Sequence, residues 1–294
     1  MKQDMEILSA KDLSKYLKIN EKKIYKLAQE SRLPYTKIGG KIAFTKELID
    51  KWILENTCRE QNIYLAGSDD ILLRRIIDLY NQRNEGTVFY APVGSVNGLR
   101  LLKNSAATMS CVHIFDVEKK DQDLSYLDRY LSKSDYIVVE LFTREQGIIL
   151  PKGNPKGIRG MEDVASKNSR FVNRNRGSGT RILVDFLLHE KGIDPSRISG
   201  YASEVDSHLE TGLKILQGEA DATFGIRHVA HIFNLDFVPQ FNERFDLVIP
   251  VDQYSSGHVK SLLAFFEQPA LLHNIKDFTG YAITKIGSVI HGNV

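Results

Sequence analysis

Between residues 7 and 55 the apolar positions change period three times. Ser9 and Asp12 have the spacing of a capping box, and after Ser9 the segment Ala10–Leu17 puts Leu13 and Leu17 on one helical face. A short turn, Lys18-Ile19-Asn20, leads to a second helix, Glu21–Glu30, with Ile24, Leu27 and Ala28 inward and Lys22, Lys23 and Lys26 outward. From Leu33 to Phe44 the period falls to two on either side of Gly39-Gly40, which predicts a β-hairpin. Thr45 then caps a third helix, Lys46–Glu55, with Leu48, Ile49, Trp52 and Ile53 as its core face. Helix, turn, basic helix, hairpin and helix make a winged helix-turn-helix, mostly α with a β-hairpin wing.

Beyond Asn62 the pattern alternates apolar runs with amphipathic helices. Strands are predicted at 62–66, 87–91, 136–142, 146–150 and 198–201, and helices at 71–81, 96–103, 182–190 and 207–217. This βαβα order predicts an α/β fold with a mostly parallel sheet. The polar stretch 57–62 separates the two patterns as a linker, giving domains at 1–56 and 63–294.

Candidate chemistry sits where strands release into helices. Phe171-Val172 is followed by Asn173-Arg174-Asn175-Arg176-Gly177-Ser178-Gly179-Thr180-Arg181 and then a helix. Glycines permit the tight turn, and the first N–H groups of the helix, with the Ser178 and Thr180 hydroxyls, make an anion cradle. Gly67-Ser68 and Gly94-Ser95 end two other strands in the same way. Ligands of open α/β sheets bind beyond the carboxyl ends of the strands, so the three turns converge on one site. The loop lacks the Gly-Lys-Ser/Thr of a P-loop, and Arg176 stands where a hydrolase elbow has glycine. No acid/base pair or nucleophile stands out, no catalytic residues are assigned, and the protein is expected not to be an enzyme.

Composition and charge add three points. Residues 1–60 hold thirteen Lys/Arg against nine Asp/Glu, a net +4, whereas the whole chain carries +2 and the remainder therefore −2. A basic N-terminal unit suits nucleic acid. Cys58 and Cys111 have neither disulfide-framework nor metal spacing, and His113, His208, His228 and His231 form no metal motif. There is no signal-peptide pattern and no run of roughly 20 apolar residues, so a cytoplasmic protein with no membrane partner is expected.

Two resemblances follow. Ile7–Leu17, Ile24-Tyr25-Lys26-Leu27, Leu33-Pro34 and Lys37-Ile38-Gly39 resemble the excisionase/MerR-type helix-turn-helix family. That resemblance implies double-stranded DNA as partner, with Lys22, Lys23, Tyr25 and Lys26 on or beside the recognition helix and Lys37 and Lys41 on the wing. Ser169–Arg181, Leu183-Asp185-Leu188, Gly192-Ile193, Glu204, His208 and Gly218-Ala220-Asp221-Ala222 resemble a cytoplasmic periplasmic-binding-protein-like (type II) domain similar to molybdate/tungstate-binding proteins. It implies a two-lobed α/β fold, lobe 1 at about 63–148 and 251–294 and lobe 2 at about 149–250. The chain would cross near Ile149-Leu150-Pro151 and Leu247–Pro250. The implied oxyanion contacts are Ser68, Ser95, Ser178, Gly179, Thr180, Ser207 and His208, with Arg176 and Arg181 either reaching the ligand or bracing the lobe.

Together these features predict a one-component transcription regulator, a homodimer or higher homo-oligomer. Its effector is a tetrahedral oxyanion, molybdate or tungstate, with no catalytic cofactor and no metal beyond that oxyanion. Two other classes remain: a molybdenum-cofactor enzyme or oxyanion carrier, and an excision-type architectural factor whose large domain only oligomerises.

Overall fold

The computed structural model describes residues 6–30, 33–55, 62–83, 86–113, 124–132 and 135–292. The chain forms two compact units, Met1–Glu60 and Gln61–Val294. Apart from Asn62, the predicted linker lies outside the described residues, as does Cys58.

In the N-terminal unit the elements are β1 (Ile7–Ser9), α1 (Ala10–Leu17), α2 (Glu21–Gln29), β2 (Thr36–Ile38), β3 (Lys41–Thr45) and α3 (Lys46–Glu55). Local chemistry sets most boundaries. The Ser9 hydroxyl accepts from the Asp12 N–H at 3.2 Å and the Asp12 carboxylate accepts from the Ser9 N–H at 3.3 Å, completing the capping box. Lys18, at φ +52°, ends α1, and the Asn20 side chain caps α2. Gly39 and Gly40, at φ +57° and +77°, supply the left-handed turn between β2 and β3. Leu13, Ile24, Ala28, Leu33, Phe44 and Ile49 form the core. Two differences from the sequence pattern emerge. Strand β1 adds a third member to the sheet, antiparallel to β3. Leu48, expected inside, is 51% exposed, and Ile49 carries the buried contact of α3.

The second unit begins with β4 (Asn62–Gly67), α4 (Ile71–Asn81), β5 (Thr87–Ala91), α5 (Ser95–Lys103) and β6 (Met109–Val112). Next come β7 (Tyr136–Leu150), α6 (Met161–Ser166), β8 (Phe171–Arg174), α7 (Gly179–Glu190), β9 (Glu204–Val205), α8 (His208–Leu216), β10 (Ala222–Ile226) and α9 (Arg227–Ile232). It closes with β11 (Asp236–Pro250), α10 (Val251–Tyr254), α11 (Gly257–Phe266), α12 (Pro269–Ile275), β12 (Tyr281–Ala282) and β13 (Ser288–His291). The strand order is β5-β4-β6-β11-β7-β10-β8-β9, with β12 and β13 also on β7.

Strands β7 and β11 are the spine. They pair antiparallel along their whole length, and two lobes form on opposite ends of this ribbon. The Tyr136 end carries β4, β5, β6, β12 and β13, while the Leu150 end carries β10, β8 and β9. Parallel pairs join β4 to β5 and β6, and β8 to β9 and β10, so each lobe holds a parallel patch set against the antiparallel spine. The chain passes between lobes at Arg144–Gln146, where pairing changes from β12 to β10. It returns beside the register shifts at Pro239/Phe241 and Phe245/Asp246. Both crossings lie a few residues ahead of the positions the resemblance implied. The 136–142 and 146–150 runs are one continuous strand. The strand expected at Ile198–Tyr201 is instead a 3-10 turn at Pro195–Arg197 followed by a loop, because Gly200, at φ +86°, lies directly against the Phe171 carbonyl.

Each lobe has its own core. Leu65, Leu72, Ile76, Phe142, Leu247 and Phe265 fill lobe 1, and Ile148, Phe171, Leu183, Val184 and Phe224 fill lobe 2. Strand β5 is an edge, and Val88 on its outward side is closed by a side chain. The Asn81 carboxamide donates to the Val88 carbonyl at 3.0 Å and accepts from the Val88 N–H at 2.8 Å.

Candidate functional site

Four helix starts point at the gap between the lobes. From lobe 1 come α4, capped by Asp70, and α5, preceded by Gly94; from lobe 2 come α7, capped by Ser178, and α8, capped by Ser207. Three contacts show that the gap is closed. A Cβ on Gly94 would stand 3.0 Å from the Gly177 carbonyl. A Cβ on Gly179 would strike the His113 carbonyl and lie 2.5 Å from its imidazole. The His208 N–H donates to Asp69 across the gap at 2.9 Å.

The structure brings most of the predicted residues together and separates their roles. Ser68 and Ser95 are fully buried and hydrogen-bonded hydroxyl to hydroxyl, and Ser95 also accepts from the His113 N–H at 3.3 Å. Thr180 is buried and its Oγ1 has no partner. Gly179 is the first residue of α7, so its N–H has no intrahelical acceptor. Ser178 serves the helix: its hydroxyl accepts from the Arg181 N–H at 3.2 Å and donates to the Asn175 carbonyl at 2.9 Å. Ser207 is half-buried and caps α8 in a box with Glu210, while the His208 ring behind it is buried with Nδ1 unpartnered. Of the two arginines singled out in the loop, Arg176 is 85% exposed and Arg181 is turned aside by Asp185 at 2.9 Å and Glu204 at 2.8 Å. Arg181 therefore braces lobe 2.

The residues that sequence reasoning passed over are the charged ones beneath the turns. Arg174, at the carboxyl end of β8, is buried, donates through Nη2 to the Asp206 carbonyl at 2.8 Å, and leaves Nε without a partner. Arg144, at the crossing of β7, is 1% exposed. It pairs with Asp70 and, at 2.5 Å, with Glu243, and leaves Nη2 unpartnered. Glu243 also accepts from Gln146 at 2.5 Å and bonds His113 Nδ1 at 2.8 Å. Asp70 also accepts from the Tyr281 hydroxyl at 2.8 Å and, as a helix cap, from the Leu73 N–H at 2.8 Å. A period-two reading could have found Arg174, which shares a strand face with Val172 and ends the strand at the ligand position. No local pattern marks Arg144 or Glu243, which arrive on β7 and β11, or joins them to His113, which follows β6.

The electrostatics follow from burial. Burial, aided by the nearby Arg144 charge, lowers Arg174 to about 10, so it stays cationic at neutral pH. Burial also opposes the Arg144 charge, but Glu243 and Asp70 outweigh it and raise its pKa. His208 is driven well below the usual histidine range by burial and then by Arg174, Arg144 and His113, which places all four in one neighbourhood. Burial likewise lowers His113. The cleft thus combines two cationic guanidiniums and the neutral His208 imidazole with unpartnered polar atoms on Arg144, Arg174, Thr180 and His208. Buried polar atoms are normally hydrogen-bonded, so this set fits a compact anion with several oxygens. Among the described residues no group of three His, Cys, Asp or Glu is placed to hold a metal ion, and no helix is long and apolar enough to cross a membrane.

On the N-terminal unit, Lys22, Lys23, Tyr25 and Lys26 of α2 are exposed, as are Lys37 and Lys41 on the hairpin. Inward Ile24 and Ala28 fix that presentation.

Two α/β lobes on a shared strand ribbon, closed over a polar cleft, define a periplasmic-binding-protein-like receptor fold. The chain belongs to that superfamily: the family model described as PBP superfamily domain matches residues 77–267, and a second, described as helix-turn-helix domain, matches residues 7–57. Among curated proteins it is 26% identical over 298 residues to the uncharacterized protein YvgK of Bacillus subtilis (strain 168), covering 93% of this chain and 94% of that one. Among solved structures it resembles the tungstate ABC transporter from Geobacter sulfurreducens, with TM-score 0.55, 18% identity, and 74% and 99% of the two chains covered. It also resembles a putative phosphate ABC transporter substrate-binding protein, with bound phosphate, from Clostridium perfringens, with TM-score 0.58, 12% identity, and 76% and 100% covered. At these identities the likeness is one of fold.

Proposed function

We propose that this protein is a cytoplasmic transcription regulator whose grip on DNA is set by a tetrahedral oxyanion, tungstate or molybdate, held in the cleft. Fusion of a helix-turn-helix domain to a ligand-receptor fold supports a regulator with its own sensor domain. The observation that carries the ligand class is the set of unpartnered polar atoms on Arg144, Arg174, Thr180 and His208 beneath the α5 and α7 helix starts.

Charge state narrows the ligand. Phosphate keeps a proton near neutral pH, its second ionisation falling at about 6 to 7, and needs an acceptor for it. The cleft's buried carboxylates are engaged: Asp69 by His208 N–H, Asp70 by Arg144, Tyr281 and Leu73, and Glu243 by His113, Arg144 and Gln146. Gln146 Oε1 and His208 Nδ1 remain as unpartnered buried acceptors, so charge state favours a dianion, hydrogen phosphate included. The choice of tungstate or molybdate over sulfate and phosphate rests on the resemblance and on the tungstate-transporter fold neighbour.

The test is a melting series with tungstate, molybdate, sulfate and phosphate at equal ionic strength. A ligand at 100 times its Kd adds about 2.7 kcal/mol. No anion-selective shift in the wild-type protein defeats the sensor reading. A shift undiminished in Thr180→Val and Arg174→Ala moves the ligand away from this cleft.

A further inference from the structure

Helix α8 carries apolar residues along two lines. His208, Thr211, Gly212 and Ile215 face inward and are buried, whereas Leu209, Leu213 and Leu216 are 44%, 39% and 54% exposed. Steps of four and three put the leucines on one outer stripe. Gly212 lets α9 close in: a Cβ there would lie 2.5 Å from Val229 and 2.6 Å from Phe233. Ile232, beside Phe233, is 46% exposed. Among the described residues these four are all the large apolar side chains that lobe 2 exposes, and they fall on two adjoining helices. Scattered single apolar residues need no explanation, but a contiguous stripe does.

We propose that this stripe seats a second copy of the chain, with α8 antiparallel to its counterpart about a twofold axis near residue 212. The polar flank of α8 fits that arrangement. Glu210 and Lys214 lie one turn apart on the same side of the helix. Within the chain Glu210 Oε2 accepts from the Asp206 and Ser207 N–H groups at 2.9 and 3.1 Å, leaving Oε1 outward, and Lys214 has an exposed pairing with Glu219. In an antiparallel pair each flank meets its own copy, so Glu210 faces the partner's Lys214 and Lys214 faces the partner's Glu210. A single helix supplies both halves of a self-complementary contact, as a twofold interface requires.

The proposal rests on the regulator reading, since one helix-turn-helix domain per chain reads a twofold DNA site only as a pair. It also assigns the lobes different duties. Lobe 2 becomes the fixed base of the dimer, and lobe 1, which follows the DNA-binding unit in sequence, becomes the half that moves. The interface helix itself begins at His208, whose N–H is bonded to Asp69 of lobe 1 across the cleft.

Sedimentation velocity of the full chain tests this, across loadings up to about 100 µM, because a stripe of this size belongs with micromolar contacts. The wild-type protein is expected to be dimeric at the upper end, and Leu213→Glu monomeric with an unchanged melting temperature and an unchanged tungstate shift. Lys214→Glu is expected to weaken dimerisation at least about tenfold. A monomeric wild-type protein at every loading, with and without tungstate, overturns the proposal and leaves the stripe to another protein. A dimer that survives Leu213→Glu overturns it in favour of another surface. A monomeric wild-type protein whose melting temperature falls on Leu213→Glu shows the stripe to be covered within one chain. Loss of the tungstate shift with dimerisation intact removes the sensor reading and leaves this surface standing.

Discussion

Glu243 stands directly opposite Arg144 where the chain passes between lobes, and the two are joined side chain to side chain at 2.5 Å. The pair ties the strand ribbon to the lobe 1 wall, through Asp70 at the start of α4 and through His113, against which Gly179 of lobe 2 lies. Removing one partner of a buried ion pair costs about 3 to 5 kcal/mol, because the other charge is stranded. Glu243→Gln should lower stability by about 3 kcal/mol on that basis. A urea midpoint within error of the wild-type value would argue that the pair is not formed in solution.

Acid should act through the same carboxyl. Burial works against the Glu243 charge, but His113 and Arg144 overcome it and hold the group at about 2, below its ordinary 4.5. A depressed carboxyl contributes stability above its unfolded pKa and loses it as pH falls toward the folded value. Glu243 should therefore cost stability between about pH 5 and pH 2. Asp70, raised by burial, titrates in the opposite sense and offsets part of the loss. Unfolding measured from pH 6 down to pH 3 should show a steeper decline in the wild-type protein than in Glu243→Gln. Parallel curves would remove Glu243 from the account.

The lysines of α2 should act by charge alone. Lys22 and Lys26 are exposed, and Lys26 has only a loose 3.8 Å pairing with Glu30. Lys22→Ala/Lys26→Ala should leave stability within about 0.5 kcal/mol and lower the salt slope of DNA binding by about two, one for each phosphate no longer neutralised. Fluorescence anisotropy at several salt concentrations reads both affinity and slope. An unchanged slope sinks the assignment of α2 to the DNA face.

Asn81 should matter out of proportion to its size. Asn81→Ala strips two hydrogen bonds from Val88 and exposes the backbone of an edge strand beside the stacked, half-exposed rings of Tyr64 and Phe89. The expected loss is about 1 to 2 kcal/mol, with aggregation on heating, since open apolar edges recruit strands. Light scattering during a thermal ramp checks it, and a variant that melts as reversibly as the wild-type protein contradicts it.

The DNA-binding unit was legible because its signals are local. Ser9, Asp12, Asn20 and the Gly39-Gly40 pair each act within four residues, and the chain follows them. Leu48, expected on the core face beside Ile49, is turned outward because neighbouring helix positions differ by about 100°, and only tertiary packing selects between them. In the larger unit, the glycine-serine turns at Ser68, Ser95 and Ser178 announced a convergent site. They did not reveal that Ser178 spends its hydroxyl on a cap, nor which arginine turns inward. Arg144 and Glu243 lie 99 residues apart in sequence. Only the pairing of β7 with β11 brings them opposite, and no window along the chain contains both.

Gly179 touches His113 with nothing where a side chain would be. The two halves of the receptor therefore meet over hydrogen atoms. A single methyl group at that position would act as a doorstop, holding the lobes ajar whatever ion is outside. Under the proposed sensor function, such an allele would be deaf to its effector while its DNA-reading face stayed whole. In a cell it would report what the regulator does when it never hears a signal, which no deletion of the protein can.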